Sequence, residues 1–138
     1  MVGGIGSRHE AREEALSVLY EADIRGVDPL EVLEAQQIDL PKFASDIVRG
    51  VTELQDRIDT ELSAAAVDWT VDRMPAIDRT LLRMAVFELV ERLDVPTAAV
   101  VSEAVELASQ YSTESSGRFV NGVLAHLAVE IRGDVADP

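Results

Sequence analysis

The segment from Ile77 to Leu93 constrains the fold of this chain more than any other part of the sequence. At helical spacing, its apolar residues form two separate stripes. The stripes are Ile77, Leu81, Met84 and Ala85 on one side, and Leu82, Val86, Leu89, Val90 and Leu93 on the other. A helix that is apolar over most of its circumference is buried among neighbours. The sequence therefore predicts a central helix enclosed by other helices.

Five more segments have the apolar spacing of amphipathic helices and supply those neighbours. The first is predicted to open with a capping box from Ser7 to Glu10 and to end at Gly26. A second follows the N-cap pair Asp28-Pro29, and a third begins at Pro41. After the central helix come a fifth helix, a polar loop over residues 112–117 and a sixth helix.

These six helices predict an all-α fold in which two three-helix bundles share the buried central helix. The chain of 138 residues has the length of one domain. We expect a single domain over 1–138, with an N-terminal half of about residues 7–66 and a C-terminal half of about residues 75–132. The segment from Trp69 to Pro75 is the predicted joint between the halves.

Residue composition argues against catalysis. The chain has no cysteine and only two histidines, His9 and His126, which are far apart and lack a metal-ligand spacing. It has no nucleophile elbow and no phosphate-binding glycine loop. We therefore predict no enzyme activity, no cofactor and no metal site. No apolar run reaches the roughly 20 residues that cross a membrane, and no signal peptide is visible, so a cytoplasmic protein is expected.

The net charge of −14 at first argues against a nucleic-acid partner. The acids are unevenly distributed, however, and residues 115–129 contain Arg118 and His126 but no Asp or Glu. In that stretch Phe119 lies beside the main apolar stripe, in line with Gly122. The ring could stack on an unpaired base, or it could be a core residue with Gly122 allowing a neighbouring helix to approach. The pattern alone favours the core interpretation.

Several blocks, taken in order, resemble the NusB family of bacterial transcription antitermination factors, and the segment from Trp69 to Arg73 resembles its actinobacterial branch. The blocks are Arg8-His9-Glu10-Ala11-Arg12 with Leu19-Tyr20, Pro75-Ala76-Ile77-Asp78-Arg79 with Leu82-Arg83, Asp94-Val95-Pro96, Glu103-Ala104-Val105-Glu106-Leu107-Ala108, and Phe119-Val120-Asn121-Gly122-Val123-Leu124. Their order and spacing hold from about residue 7 to 131.

This resemblance implies binding to the boxA element of ribosomal RNA leader transcripts together with NusE, a small-subunit ribosomal protein. The pair would join the elongating RNA polymerase and suppress termination. The family's RNA side corresponds here to Arg8, Arg12, Tyr20, Arg118 and Phe119. The family's partner-protein surface corresponds to Asp78.

Two interpretations remain open at this point. One is an RNA-binding adaptor; the other is a helical scaffold that recruits basic proteins through its acidic surface. A structure that exposes Arg8, Arg12 and Phe119 on one face would favour the adaptor. The sequence leaves open whether the chain forms a homodimer.

Overall fold

A computed structural model describes residues 5–37, 39–66 and 69–133, and these residues form six α-helices, one short 3₁₀ helix and no strand. The all-α prediction is confirmed. The helices are α1 (Ile5–Arg25), α2 (Pro29–Glu34), α3 (Lys42–Ala65), α4 (Ala76–Glu91), α5 (Thr97–Tyr111) and α6 (Glu114–Arg132), and the 3₁₀ helix spans Val71–Arg73. Residues 1–4 and 134–138 of the predicted domain lie outside the described residues.

Helix α4 occupies the centre, as predicted, and packs against α1, α3, α5 and α6. Most of both predicted stripes is buried, with Leu82, Val86 and Leu89 fully enclosed and Ile77 and Val90 partly buried. One charged residue of α4, Glu88, is buried as well. Leu93 is an exception at 75% exposure, because α4 ends at Glu91 before reaching it.

Glycine permits a close contact between helices at Gly50 of α3 and at Gly117 of α6, and the sequence indicated neither position. A Cβ added to Gly50 of α3 would overlap the ring of Phe87 on α4. A Cβ added to Gly122 would meet nothing within 4 Å. The prediction that Gly122 permits a close helix approach is therefore wrong, and Gly50 and Gly117 have that role.

The helix ends agree only partly with the predicted caps. Gly26 follows α1 with a φ of 68°, and the N–H of Val27 donates to the carbonyl of Ala22, a C-terminal motif that glycine favours. Helix α1 begins at Ile5, so Ser7 is not its N-cap. Helix α6 begins at Glu114, inside the predicted loop, because the Thr113 hydroxyl caps it by accepting from the Ser116 N–H.

The last residue of α6 closes the C-terminal end of α4. The Arg132 guanidinium donates to the carbonyls of Glu88, Leu89 and Arg92, and to that of Val95 in the following turn. The carbonyls in the last turn of a helix have no partner within the helix. Arg132 supplies a partner to the Leu89 carbonyl and a second one to the carbonyls of Glu88 and Arg92, which also accept from backbone N–H groups. It also places a positive charge where the helix dipole is negative. None of the helices described is long and apolar enough to cross a membrane.

Candidate nucleic-acid interface

An aromatic surface lies where the C-terminal end of α3 meets α6. The rings of Trp69 and Phe119 are 6.4 Å apart and meet edge to face at 61°. Trp69 is 47% exposed, whereas Phe119 is half-buried. The exposed Arg118 and Gly122 line the same groove of about 390 Å³. We call Trp69, Arg118, Phe119 and Gly122 the aromatic patch.

The aromatic patch has the components that unpaired bases require. Aromatic faces accept base stacking without sequence preference, and an arginine beside them can contact phosphate. Because Gly122 has no side chain and an added Cβ would meet nothing within 4 Å, the groove stays open beside the ring. Sequence reasoning missed Trp69, since fifty residues separate it from Phe119 and only the fold brings the two rings together.

A second basic region surrounds Phe43 at the start of α3. The guanidinium carbons of Arg8, Arg12 and Arg92 lie 4.7, 5.0 and 4.7 Å from the centre of its ring. Arg8 also forms an ion pair of 3.2 Å with Asp94 and keeps 41% of its side chain exposed. The hydrogen bond from Arg92 holds the pKa of Asp94 well below its ordinary value, so Asp94 stays ionised. We call these four residues, Phe43 and its three arginines, the Phe43 cluster.

Arg12 is buried and is paired with a carboxylate inside the protein. Its Nε and Nη2 donate to the two carboxylate oxygens of Glu88 at 2.9 and 2.8 Å. Such a two-point contact is the strong form of an arginine–carboxylate pair. The pair joins α1 to the buried central helix. The structure therefore places Arg12 inside the molecule, whereas Arg8 reaches solvent.

The Phe43 cluster and the aromatic patch lie at opposite ends of α3. Phe43 is in the first turn of α3, while Ala65, its last residue, lines the groove beside Phe119. At 1.5 Å per residue, the length of helix between them is about 33 Å. Arg8 and Arg12 therefore lie far from Phe119, and the single exposed face of these three residues that would have favoured the RNA-binding adaptor is not observed. Tyr20 is on the exposed side of α1, about 18 Å along that helix from Arg8.

Asp78 lies inside the first turn of α4 and is 2% exposed. Its Oδ1 has no hydrogen-bond partner among the described residues. A carboxylate in the first turn of a helix interacts favourably with the helix dipole. In this conformation, however, the Asp78 side chain is enclosed and does not present its charge on the surface.

Taken together, the fold and this site define a class: an all-helical protein with a buried, ion-paired central helix and an exposed aromatic–arginine patch. A profile described as the NusB family matches residues 9–129. Since that match covers most of the sequence, the chain belongs to the NusB family.

Individual relatives agree with this assignment. The transcription antitermination protein NusB of Kineococcus radiotolerans is 48% identical over 128 residues, covering 90% of this chain and 94% of the relative. The solved structure of T. maritima NusB is 30% identical, with a TM-score of 0.80, and the alignment covers 99% of this chain and 96% of that one. A crystal structure of antitermination factors NusB and NusE in complex with dsRNA contains a chain 29% identical to this one, with a TM-score of 0.79 and coverage of 92% and 99%.

Proposed function

We propose that this chain is a transcription antitermination factor that binds boxA-type RNA of ribosomal RNA leader transcripts together with NusE and joins the elongating RNA polymerase. The observation that carries the proposal is the similarity, across 92% of this chain, to a protein solved with NusE and dsRNA. The activity is one of binding and assembly, without catalysis, and it takes place in the cytoplasm.

RNA would contact the protein in two regions. At the aromatic patch, Phe119 and Trp69 stack on unpaired bases while Arg118 contacts phosphate. Along α1, Arg8 and Tyr20 provide a second contact. Arg12 contributes by holding α1 against Glu88 and by packing on Phe43, which positions Arg8 at the surface.

The partner-protein surface is proposed to lie at the start of α4, around Asp78. Because the Asp78 carboxylate is enclosed, its contribution is to fix the first turn of α4 or to meet a basic partner group after a local rearrangement.

Replacement of Asp78 by asparagine keeps the shape of the side chain and removes its charge. We expect Asp78→Asn to weaken NusE binding while preserving helicity, and unchanged affinity in a calorimetric titration would contradict this surface.

Titration of a boxA-like single-stranded RNA, with and without NusE, tests the function. We expect weak binding by the chain alone and tighter binding with NusE.

Phe119→Ala should lose about 1–3 kcal/mol of RNA affinity, the usual contribution of one stacked base. Val129→Ala is the matched control, since Val129 is an exposed apolar residue of the same helix outside the aromatic patch.

The outcomes separate the candidate functions. If Phe119→Ala and Val129→Ala bind RNA equally well, the aromatic patch is not the RNA site. If NusE binds but RNA does not, either alone or with NusE, the chain is the acidic protein-binding scaffold instead. A denaturant melt of each variant corrects for changes in folded fraction.

A further inference from the structure

A histidine near the start of α1 and two glutamates of α5 come together. One imidazole nitrogen of His9 and one carboxylate oxygen each from Glu103 and Glu106 lie within 4.8 Å of one another. The His9 Nδ1 donates to Glu103 Oε1 at 2.8 Å. From these residues we propose a divalent-cation site, with Zn²⁺ as the ion that its ligands suit, which clamps α1 to α5.

The ligand set favours Zn²⁺ over Mg²⁺ or Ca²⁺. Imidazole is a ligand of zinc and related transition metals, whereas Mg²⁺ and Ca²⁺ take oxygen ligands. Ligand atoms bound to one zinc ion at about 2.0–2.2 Å lie roughly 3–3.5 Å apart. The pair from His9 and Glu103 is already near that spacing, and the exposed Glu106 can rotate to reach it. Water completes the coordination.

Glu13 provides the outer partner that a metal-bound histidine needs. Its Oε2 lies 3.8 Å from Nε2 of His9, on the side of the ring away from Glu103. When the ion takes Nδ1, a neutral His9 moves its proton to Nε2, which faces Glu13, and a small rotation of the Glu13 side chain, which now accepts from the Tyr111 hydroxyl at 2.6 Å, brings its carboxylate within hydrogen-bond distance. A protonated His9 instead releases one proton to solvent. A carboxylate–histidine–metal arrangement of this kind orients the ring and strengthens the ligand.

The local charge also favours a cation. Arg12 is the neighbouring positive group, and its Nη1 lies 3.6 Å from Glu103. Its shorter contacts, at 2.9 and 2.8 Å, are to Glu88, which neutralises it. Three carboxylates, those of Glu13, Glu103 and Glu106, therefore surround a single imidazole. A bound divalent ion would offset this excess negative charge.

Zinc titration of the untagged protein tests the site, because the chain offers a matched control. His126 is the only other histidine of the sequence and pairs with Glu130 on the exposed side of α6. We expect one Zn²⁺ per chain by calorimetry, binding that persists in millimolar Mg²⁺, and a higher melting temperature with Zn²⁺. His9→Gln should weaken binding at least about tenfold, and His126→Gln should leave it unchanged.

A spectroscopic measurement on the unmodified protein covers the case in which His9→Gln does not fold. In NMR spectra, Zn²⁺ should shift the imidazole signals of His9 and leave those of His126 unchanged. The proposal is overturned by absence of saturable binding, by equal effects at both histidines or by full displacement with Mg²⁺. The zinc site does not depend on RNA binding, so the zinc titration and the RNA titration test separate proposals.

Discussion

At the scale of single residues, stability should be most sensitive to the buried pair of Arg12 and Glu88. Removing one partner of such a pair leaves an uncompensated charge in the interior. We expect Arg12→Ala to lower the free energy of unfolding by about 3–5 kcal/mol, as measured by urea denaturation. Arg25→Ala is the control, because its pair with Glu21 is exposed and such pairs are worth less than about 1 kcal/mol. Equal losses in the two variants would contradict this account.

His9 should make stability depend on pH. Its hydrogen bond to Glu103 raises its pKa above the ordinary 6.5, with added attraction from Glu13 and Glu106 and with Arg12 on the far side of Glu103. The protonated form is favoured in the folded state, so the stabilisation is fully present below pH 6.5. It is lost as pH rises through the higher folded pKa.

The measurement is a series of urea melts of the wild type and His9→Gln in a chelator, from about pH 5.5 to about pH 9. We expect the stability advantage of the wild type to be largest at the acidic end and to shrink towards the alkaline end. An advantage that grows with pH would show that His9 is held neutral in the folded chain.

At the scale of helices, we expect a glycine-to-alanine substitution to change stability in opposite directions at two positions, Gly50 and Gly122. Gly50→Ala places a Cβ against Phe87 and forces α3 away from α4, which we expect to cost about 1–3 kcal/mol. Gly122→Ala meets open space in a helix of ordinary geometry, so it should add about 0.5–1 kcal/mol. Thermal or urea melts measure both. A destabilised Gly122→Ala variant would contradict the open groove described at the aromatic patch.

Helix positions were largely predictable from the sequence, whereas the partners of charged side chains were not. The buried stripe of α6, which includes Val120 and Leu124, repeats with the helical period and is visible in any short window. The partner of Arg12 is Glu88, 76 residues away, and no local pattern connects them. Trp69 and the cluster around His9 were missed for the same reason.

At the scale of the whole molecule, the charge of −14 limits how tightly the chain alone can hold RNA. With Arg12 buried, Arg8 and Arg118 are the predicted phosphate contacts. Each contact to single-stranded RNA contributes about 0.7 to the slope of log affinity against log salt. We expect a slope of about 1.4 without NusE, measured by fluorescence titration at several salt concentrations. A slope above about 4 would reveal a basic surface other than the two described.

The closure of α4 by Arg132 has a consequence for how the protein is made. The groups that accept hydrogen bonds from Arg132, which are backbone carbonyls and the Thr97 hydroxyl, lie 35 to 44 residues earlier in the chain. Synthesis proceeds at about 5–20 residues per second, so α4 leaves the ribosome several seconds before the side chain that completes it. Throughout that interval the nascent chain carries its central helix without the last of its partners. Folding of the core therefore finishes only near the end of translation.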